Sequence, residues 1–126
     1  MADAVCRILV VEDEPLIRQL LLTALSSRGH TPEAVSNGAE GLDQLKNGSY
    51  DVLITDFHMP RMTGKELINS VRASKIKVSI ILMSSNNLDE LELTGKDLEG
   101  IQFLRKPFGI NELYASVQRA LKPSPR

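Results

Sequence analysis

Short apolar runs separated by longer segments of helical period dominate the chain. Four of the runs are Ile8–Val11, Val52–Ile54, Val78–Met83 and Phe103–Leu104. Most consist of Val, Ile and Leu without polar alternation, the pattern of strands covered on both faces of a parallel sheet. A fifth, weaker strand is expected over Thr31–Ser36. Pro32 within it is tolerated best on a sheet edge, because it has no N–H to offer a neighbouring strand.

Between the runs the period lengthens. Pro15 suits the first turn of a helix, and Leu16, Ile17, Leu20, Leu21, Ala24 and Leu25 follow at three- and four-residue spacing until Gly29 supplies a stop. A second helix is expected from about Ala39 to Lys46, with Leu42 and Leu45 inward and Asn47-Gly48 ending it. A third fits Lys65–Ser74 and presents Leu67, Ile68 and Val71. The last covers Ile110–Leu121, turning Leu113, Val117, Ala120 and Leu121 inward, and Pro123 and Pro125 forbid its continuation. The stretch Asn86–Gly100 is the least regular: Leu88, Leu91 and Leu98 could line a fourth helix, which Gly95 and its polar neighbours would leave short or frayed.

Strand and helix thus alternate in five βα units. The expected fold class is α/β, doubly wound: a five-stranded parallel sheet with five flanking helices, the first and fifth on one face and the second to fourth on the other. One domain accounts for residues 1–126, with a core over about 6–121 and a short Pro-containing tail at 122–126.

Composition fits this picture. A chain of 126 residues with 42% hydrophobic and 25% charged side chains can bury a single core. The formal charge of -1 offers no footprint for a polyanion, so direct nucleic-acid binding by this segment is not expected. Cys6, the only cysteine, cannot form an internal disulfide and reads as a small buried hydrophobe. No segment approaches the roughly 18 apolar residues of a membrane span, and no secretory signal is expected at Met1–Arg7. A cytoplasmic setting fits.

The candidate chemistry lies where the apolar runs end. Run one ends in Glu12-Asp13, and the others lead to Asp56, Ser84 and Lys106. In a parallel sheet these carboxyl ends share one edge, where open α/β folds bind ligands. Three acids brought together raise one another's pKa and call for a cation, and Lys106 offsets only one charge. A hard divalent ion, Mg2+ in particular, suits the remainder because it takes a few protein oxygens and keeps waters for a phosphate. Asp56 is then the candidate nucleophile for phosphoryl transfer, since a carboxylate can form an acyl phosphate.

The texts Val10-Val11-Glu12-Asp13-Glu14, Asp56-Phe57-His58-Met59-Pro60-Arg61-Met62-Thr63-Gly64, Ser84, and Phe103-Leu104-Arg105-Lys106-Pro107-Phe108 occur in that order. Together they resemble the response-regulator receiver family of two-component and phosphorelay signalling, including its single-domain, chemotaxis-regulator-like members, over nearly the whole chain. The resemblance implies a flavodoxin-like sheet of order 2-1-3-4-5. It also implies phosphorylation of Asp56 by a sensor histidine kinase or histidine phosphotransfer protein, direct Mg2+ ligation by Asp13 and Asp56, a water-mediated role for Glu12 and a backbone carbonyl ligand from His58. It implies a cis Lys106–Pro107 bond as well. Ser84 and Phe103 match the family's switch pair, in which the hydroxyl follows the phosphoryl group and the ring turns inward, altering the face made by the fourth helix, fifth strand and fifth helix. Kinase docking is implied near Pro15, Leu16, Ile17, Pro107 and Phe108.

Bland readings stand beside these. Ser85 competes with Ser84 for the phosphoryl oxygen, but Ser84 has the family spacing, 28 residues after Asp56 and 22 before Lys106. The His58 side chain reads as partly exposed, tuning access of water, and Phe103 has a plain core role as its alternative. Met59, Met62 and Met83 read as packing residues, because thioethers suit soft metals and this site is all oxygen. Tyr50 and Tyr114 carry no signal. Two other functions compete: a metal-dependent phosphatase with an aspartyl nucleophile, which needs an Asp where His58 stands, and a pseudo-receiver that works unphosphorylated. A signalling switch rather than a turnover enzyme is the favoured reading; the downstream effector is not identified by the sequence.

Overall fold

The computed structural model describes residues 4–91 and 93–121. Expectations for Pro123, Pro125 and the side chain of Leu88 fall outside the described residues. The chain order is β1 (Arg7–Val11), α1 (Pro15–Ser27), β2 (Thr31–Val35), α2 (Gly38–Asn47), β3 (Val52–Asp56), α3 (Gly64–Ala73), β4 (Ser79–Ser84), a 3-10 turn (Leu88–Leu91), β5 (Ile101–Arg105) and α4 (Ile110–Leu121). All strand pairs are parallel and the order is β2-β1-β3-β4-β5. Pro32 therefore sits on an edge strand, as its missing donor requires.

Successive residues of a strand face opposite layers, which is why the central strands are apolar throughout. Ile8, Val10, Ile54 and Met83 pack against Leu21 and Leu25 of α1 and Leu113 and Val117 of α4. Leu9, Val11, Leu53 and Leu82 pack against Leu45 of α2 and Leu67, Ile68 and Val71 of α3. Not every residue of the α1 stripe turns inward: Leu21, Ala24 and Leu25 are buried, whereas Leu16 is 81% and Leu20 69% exposed.

Local signals fix the helix ends. The Asn37 side chain accepts the Glu40 N–H at 2.9 Å, and Thr63 with Glu66 forms a reciprocal capping box on α3. Gly29, at φ +89°, ends α1 in a conformation that side chains with a Cβ rarely adopt.

One expectation needs correction. Four α-helices flank the sheet among the described residues, not five, and the stretch expected as the fourth helix holds the 3-10 turn followed by turns over 95–100. Arg72 of α3 ties this stretch to its neighbour. Its guanidinium donates to the carbonyls of Lys96 at 3.2 Å and Glu99 at 2.6 Å, and Lys65 pairs with Asp97 at 3.8 Å. Gly95 and Gly100, the latter at φ +74°, lower the helical propensity of the stretch. The second to fourth expected helices thus reduce to α2, α3 and the 3-10 turn on their face, and α4 is the expected fifth.

Candidate functional site

The strand ends meet on one edge of the sheet. Past β3 the ladder continues with Phe57 N–H donating to Met83 O at 2.9 Å, and past β5 with Lys106 N–H donating to Ser84 O at 2.8 Å. Asp56, Ser84 and Lys106 therefore ride on hydrogen-bonded backbone rather than on loose loops. Glu12 is tied in the same way, its N–H donating to Val35 O at 3.2 Å.

Lys106 Nζ donates to Glu12 Oε1 at 2.8 Å and stands 3.3 Å from Asp56 Oδ2. Oxygen atoms of Glu12, Asp13 and Asp56 lie within 4.8 Å of one another. Glu12 and Asp56 are buried, while Asp13 is exposed at the mouth. Burial is the main cause that raises both buried carboxyls above the ordinary carboxylate range, with Lys106 opposing it. For Lys106, burial alone would lower the pKa, but the bond to Glu12 and the charges of Asp56 and Glu12 outweigh it and hold the ammonium above its usual value. Three carboxylates around one ammonium leave negative charge unbalanced, in a set of hard oxygen donors.

Ser84 is fully buried, and its Oγ accepts the Asn86 N–H at 3.0 Å, which leaves the hydroxyl proton to be donated elsewhere. Ser85 is exposed and faces a different way, lining an apolar groove with Lys106. The His58 side chain is exposed, with Nε2 2.9 Å from Asn86 Oδ1, while the His58 backbone N–H opposes the rise in the Asp56 pKa. Phe103 is half-buried on edge strand β5 and packs toward the α2–α3 layer. The Lys106–Pro107 bond is cis.

The apolar groove, of about 520 Å3, runs between α1 and the start of α4; Ile17, Leu20, Lys106, Pro107, Phe108 and Ile110 line it. Pro15 and Leu16 are exposed but are not among its lining residues. Met59 and Met83 are buried in the core and Met62 packs against it, so the methionines form no ligand set. Cys6 is buried, and burial with the nearby charge of Asp51 pushes its thiol up to about 11, which keeps it neutral.

Two residues beside the site carry no signal in the sequence. Arg18, one turn into α1, donates from its guanidinium to the Glu12 carbonyl at 2.9 Å, and Asn86 joins the His58 ring to the Ser84 hydroxyl. Both act through polar contacts that no motif announces.

The family model of the response regulator receiver domain matches residues 8–118. The chain belongs to the response regulator receiver domain family. The fold of this receiver domain is similar to that of the chemotaxis protein CheY4 of Vibrio cholerae, with a TM-score of 0.86 at 31% identity, covering 94% of this chain and 100% of that one. It is also similar to the response regulator TrrA of Thermotoga maritima, solved in complex with Mg(2+)-BeF, with a TM-score of 0.81 at 34% identity over 91% of this chain and 98% of that one. The transcriptional regulatory protein TcrA of Mycobacterium tuberculosis is 30% identical over 119 residues, which are 94% of this chain and 47% of TcrA. The chain spans about half the length of the curated relatives it matches. As a receiver domain of the two-component type, it is a signalling module. Among the described residues no helix is long and apolar enough to cross a membrane.

Proposed function

We propose that Asp56 accepts a phosphoryl group from a phosphohistidine on a sensor histidine kinase or histidine phosphotransfer protein. The observation that carries this reading is the buried Asp56 carboxylate, 3.3 Å from Lys106 Nζ and clustered with the carboxylates of Glu12 and Asp13. An Asp56 oxygen attacks phosphorus in line, the P–N bond to the donor imidazole breaks, and the ring leaves with its electron pair. Lys106 covers one side of the transferred group and Ser84 donates its hydroxyl proton to a phosphoryl oxygen.

Asp13 and Asp56 would hold Mg2+ directly, with Glu12 acting through water and His58 through its carbonyl. When bound, the ion supplies screening of the negative charge on the phosphoryl oxygens. The oxygen-only donor set supports it, and the Mg(2+)-BeF complex of the related TrrA is of the same chemistry. Ser84 and Phe103 form the switch: as the hydroxyl turns to the phosphoryl group its bond to the Asn86 N–H is given up, and the half-buried ring moves inward. With α4 in the place of the expected fifth helix, the output face consists of the turns at 95–100, β5 and α4. A cytoplasmic site of action fits a module that meets a kinase core. The domain acts as a switch rather than a turnover enzyme: the aspartyl-phosphatase alternative lacks an acid two residues after the nucleophile, where the exposed His58 engages Asn86.

The test is incubation with acetyl phosphate and Mg2+. The chain is expected to gain one phosphoryl mass, which neutral hydroxylamine removes because the linkage is an acyl phosphate; no gain by folded, Mg2+-loaded protein overturns the reading and favours a pseudo-receiver.

The kinase would approach along the α1–α4 groove, over Ile17, Pro107 and Phe108, with exposed Pro15 and Leu16 beside it. Leu16→Asp or Ile17→Asp is expected to slow transfer from a cognate kinase at least tenfold, the cost of about 1.4 kcal/mol of lost apolar docking. Phosphorylation by acetyl phosphate should change little. Equal slowing with both donors would exclude this docking surface.

A further inference from the structure

Asp13 stands apart from the other members of the acidic cluster. Glu12 and Asp56 are both buried and held by Lys106. Asp13 is exposed, and among the described residues its carboxylate takes part in no hydrogen bond or ion pair. Its position is set by the backbone turn that carries it, so whatever fixes that turn fixes the ligand.

The turn has three anchors. The Glu12 N–H donates to Val35 O at 3.2 Å, the Glu14 N–H donates to Glu12 Oε2 at 3.1 Å, and Arg18 Nη1 donates to the Glu12 carbonyl at 2.9 Å. Only the last reaches the carbonyl of the peptide that leads into Asp13. That carbonyl lies one residue beyond the end of β1, and the ladder bond to Val35 holds the Glu12 N–H, not its carbonyl. Arg18 can reach it because side chains on a helix lean toward its N-terminus, and Arg18 lies in the first turn of α1 after Pro15.

We infer that Arg18 is a positioning residue for the cation site, holding the Glu12–Asp13 peptide so that the Asp13 carboxylate faces Asp56. The inference rests on the proposed reading of the acidic cluster as a Mg2+ site. Partners that orient a ligand without touching the metal change affinity by about 10–100-fold when removed. Arg18 also brings a positive charge near the cluster, and that effect has the opposite sign: if charge dominated, removing it would tighten Mg2+ binding.

Mg2+ titration of the folded chain followed by NMR or calorimetry separates the two. Arg18→Met is expected to weaken Mg2+ binding about tenfold, and Arg18→Lys, which keeps a donor on a stem of similar reach, to recover most of the loss. In metal-free protein, amide hydrogen exchange at Glu14 should quicken in Arg18→Met while core amides of β1 and β3 keep their protection, a pattern that general destabilisation does not produce. Unchanged or tighter binding by Arg18→Met, or a loss that Lys does not recover, overturns the role of Arg18. Absence of Mg2+ binding by the wild type instead overturns the reading of the site itself.

Discussion

Exchanging Asp56 for Asn is expected to end phosphorylation by acetyl phosphate and, in metal-free buffer, to raise the melting temperature. The two effects have one cause. The Asp56 carboxylate is buried beside Glu12 and Asp13, and burial raises its pKa despite Lys106 at 3.3 Å. Its charged form is therefore disfavoured in the native state, and the proposed role as nucleophile needs that same charge. Asn keeps an oxygen for Lys106 and removes the charge. The native chain holds the Asp56 proton more tightly than the unfolded chain, so this group's contribution to stability falls as pH rises from the ordinary Asp range, about 4. The loss is complete once pH exceeds the raised native value. Near neutral pH the variant should therefore melt higher than the wild type, and the gain should vanish below the ordinary Asp range. Melting curves of both proteins across pH, with and without Mg2+, check this. A variant that melts lower than the wild type at neutral pH would show that Lys106 stabilises the ionised carboxylate more than burial penalises it.

The candidate site was legible as a place where reactive side chains coincide with strand ends. Asp13, Asp56, Ser84 and Lys106 each follow an apolar run, and a parallel sheet has only one carboxyl edge on which to collect them. Strands β1, β3 and β4 stood out because both faces are buried, which leaves no polar residue to blur the run. β5 was visible only as Phe103-Leu104, although it extends over Ile101–Arg105, because an edge strand exposes Arg105 and carries Gln102 to meet Arg119 on α4. The missing helix was hidden for a different reason. The stretch is tied instead to Arg72 and Lys65 on α3, more than twenty residues away, and a local pattern cannot register such contacts. Arg18 and Asn86 escaped notice in the same way, since each acts through a backbone group or a short polar contact that becomes specific only after folding. Tyr114, silent in the sequence, donates to the Ala24 carbonyl at 2.9 Å and ties α4 to α1.

Gly64→Ala should cost both stability and the proposed chemistry, through contacts that reach the backbone of Asp56 directly. Gly64 opens α3 and its N–H donates to Phe57 O at 2.8 Å, which brings the helix start against the backbone just past Asp56. A Cβ there would stand 2.8 Å from Asp56 O, 2.8 Å from Phe57 Cα and 3.1 Å from Leu82 Cδ1. The first two are backbone atoms at the end of a central strand and cannot swing aside as a side-chain tip can. Either α3 lifts from the sheet, thinning the packing of Leu67 and Ile68, or the Asp56–Phe57 peptide shifts and carries the carboxylate with it. Overpacking of this kind costs about 2 kcal/mol, or about 8 °C in Tm. A displacement of about 1 Å at the nucleophile slows an oriented reaction about a hundredfold. Gly95→Ala is the control, since its Cβ would meet nothing within 4 Å, and it should leave both melting and acetyl phosphate kinetics unchanged. If Gly64→Ala melts and gains the phosphoryl group as the wild type does, the β3–α3 junction has slack, and the close approach of helix to nucleophile is not what holds Asp56 in place.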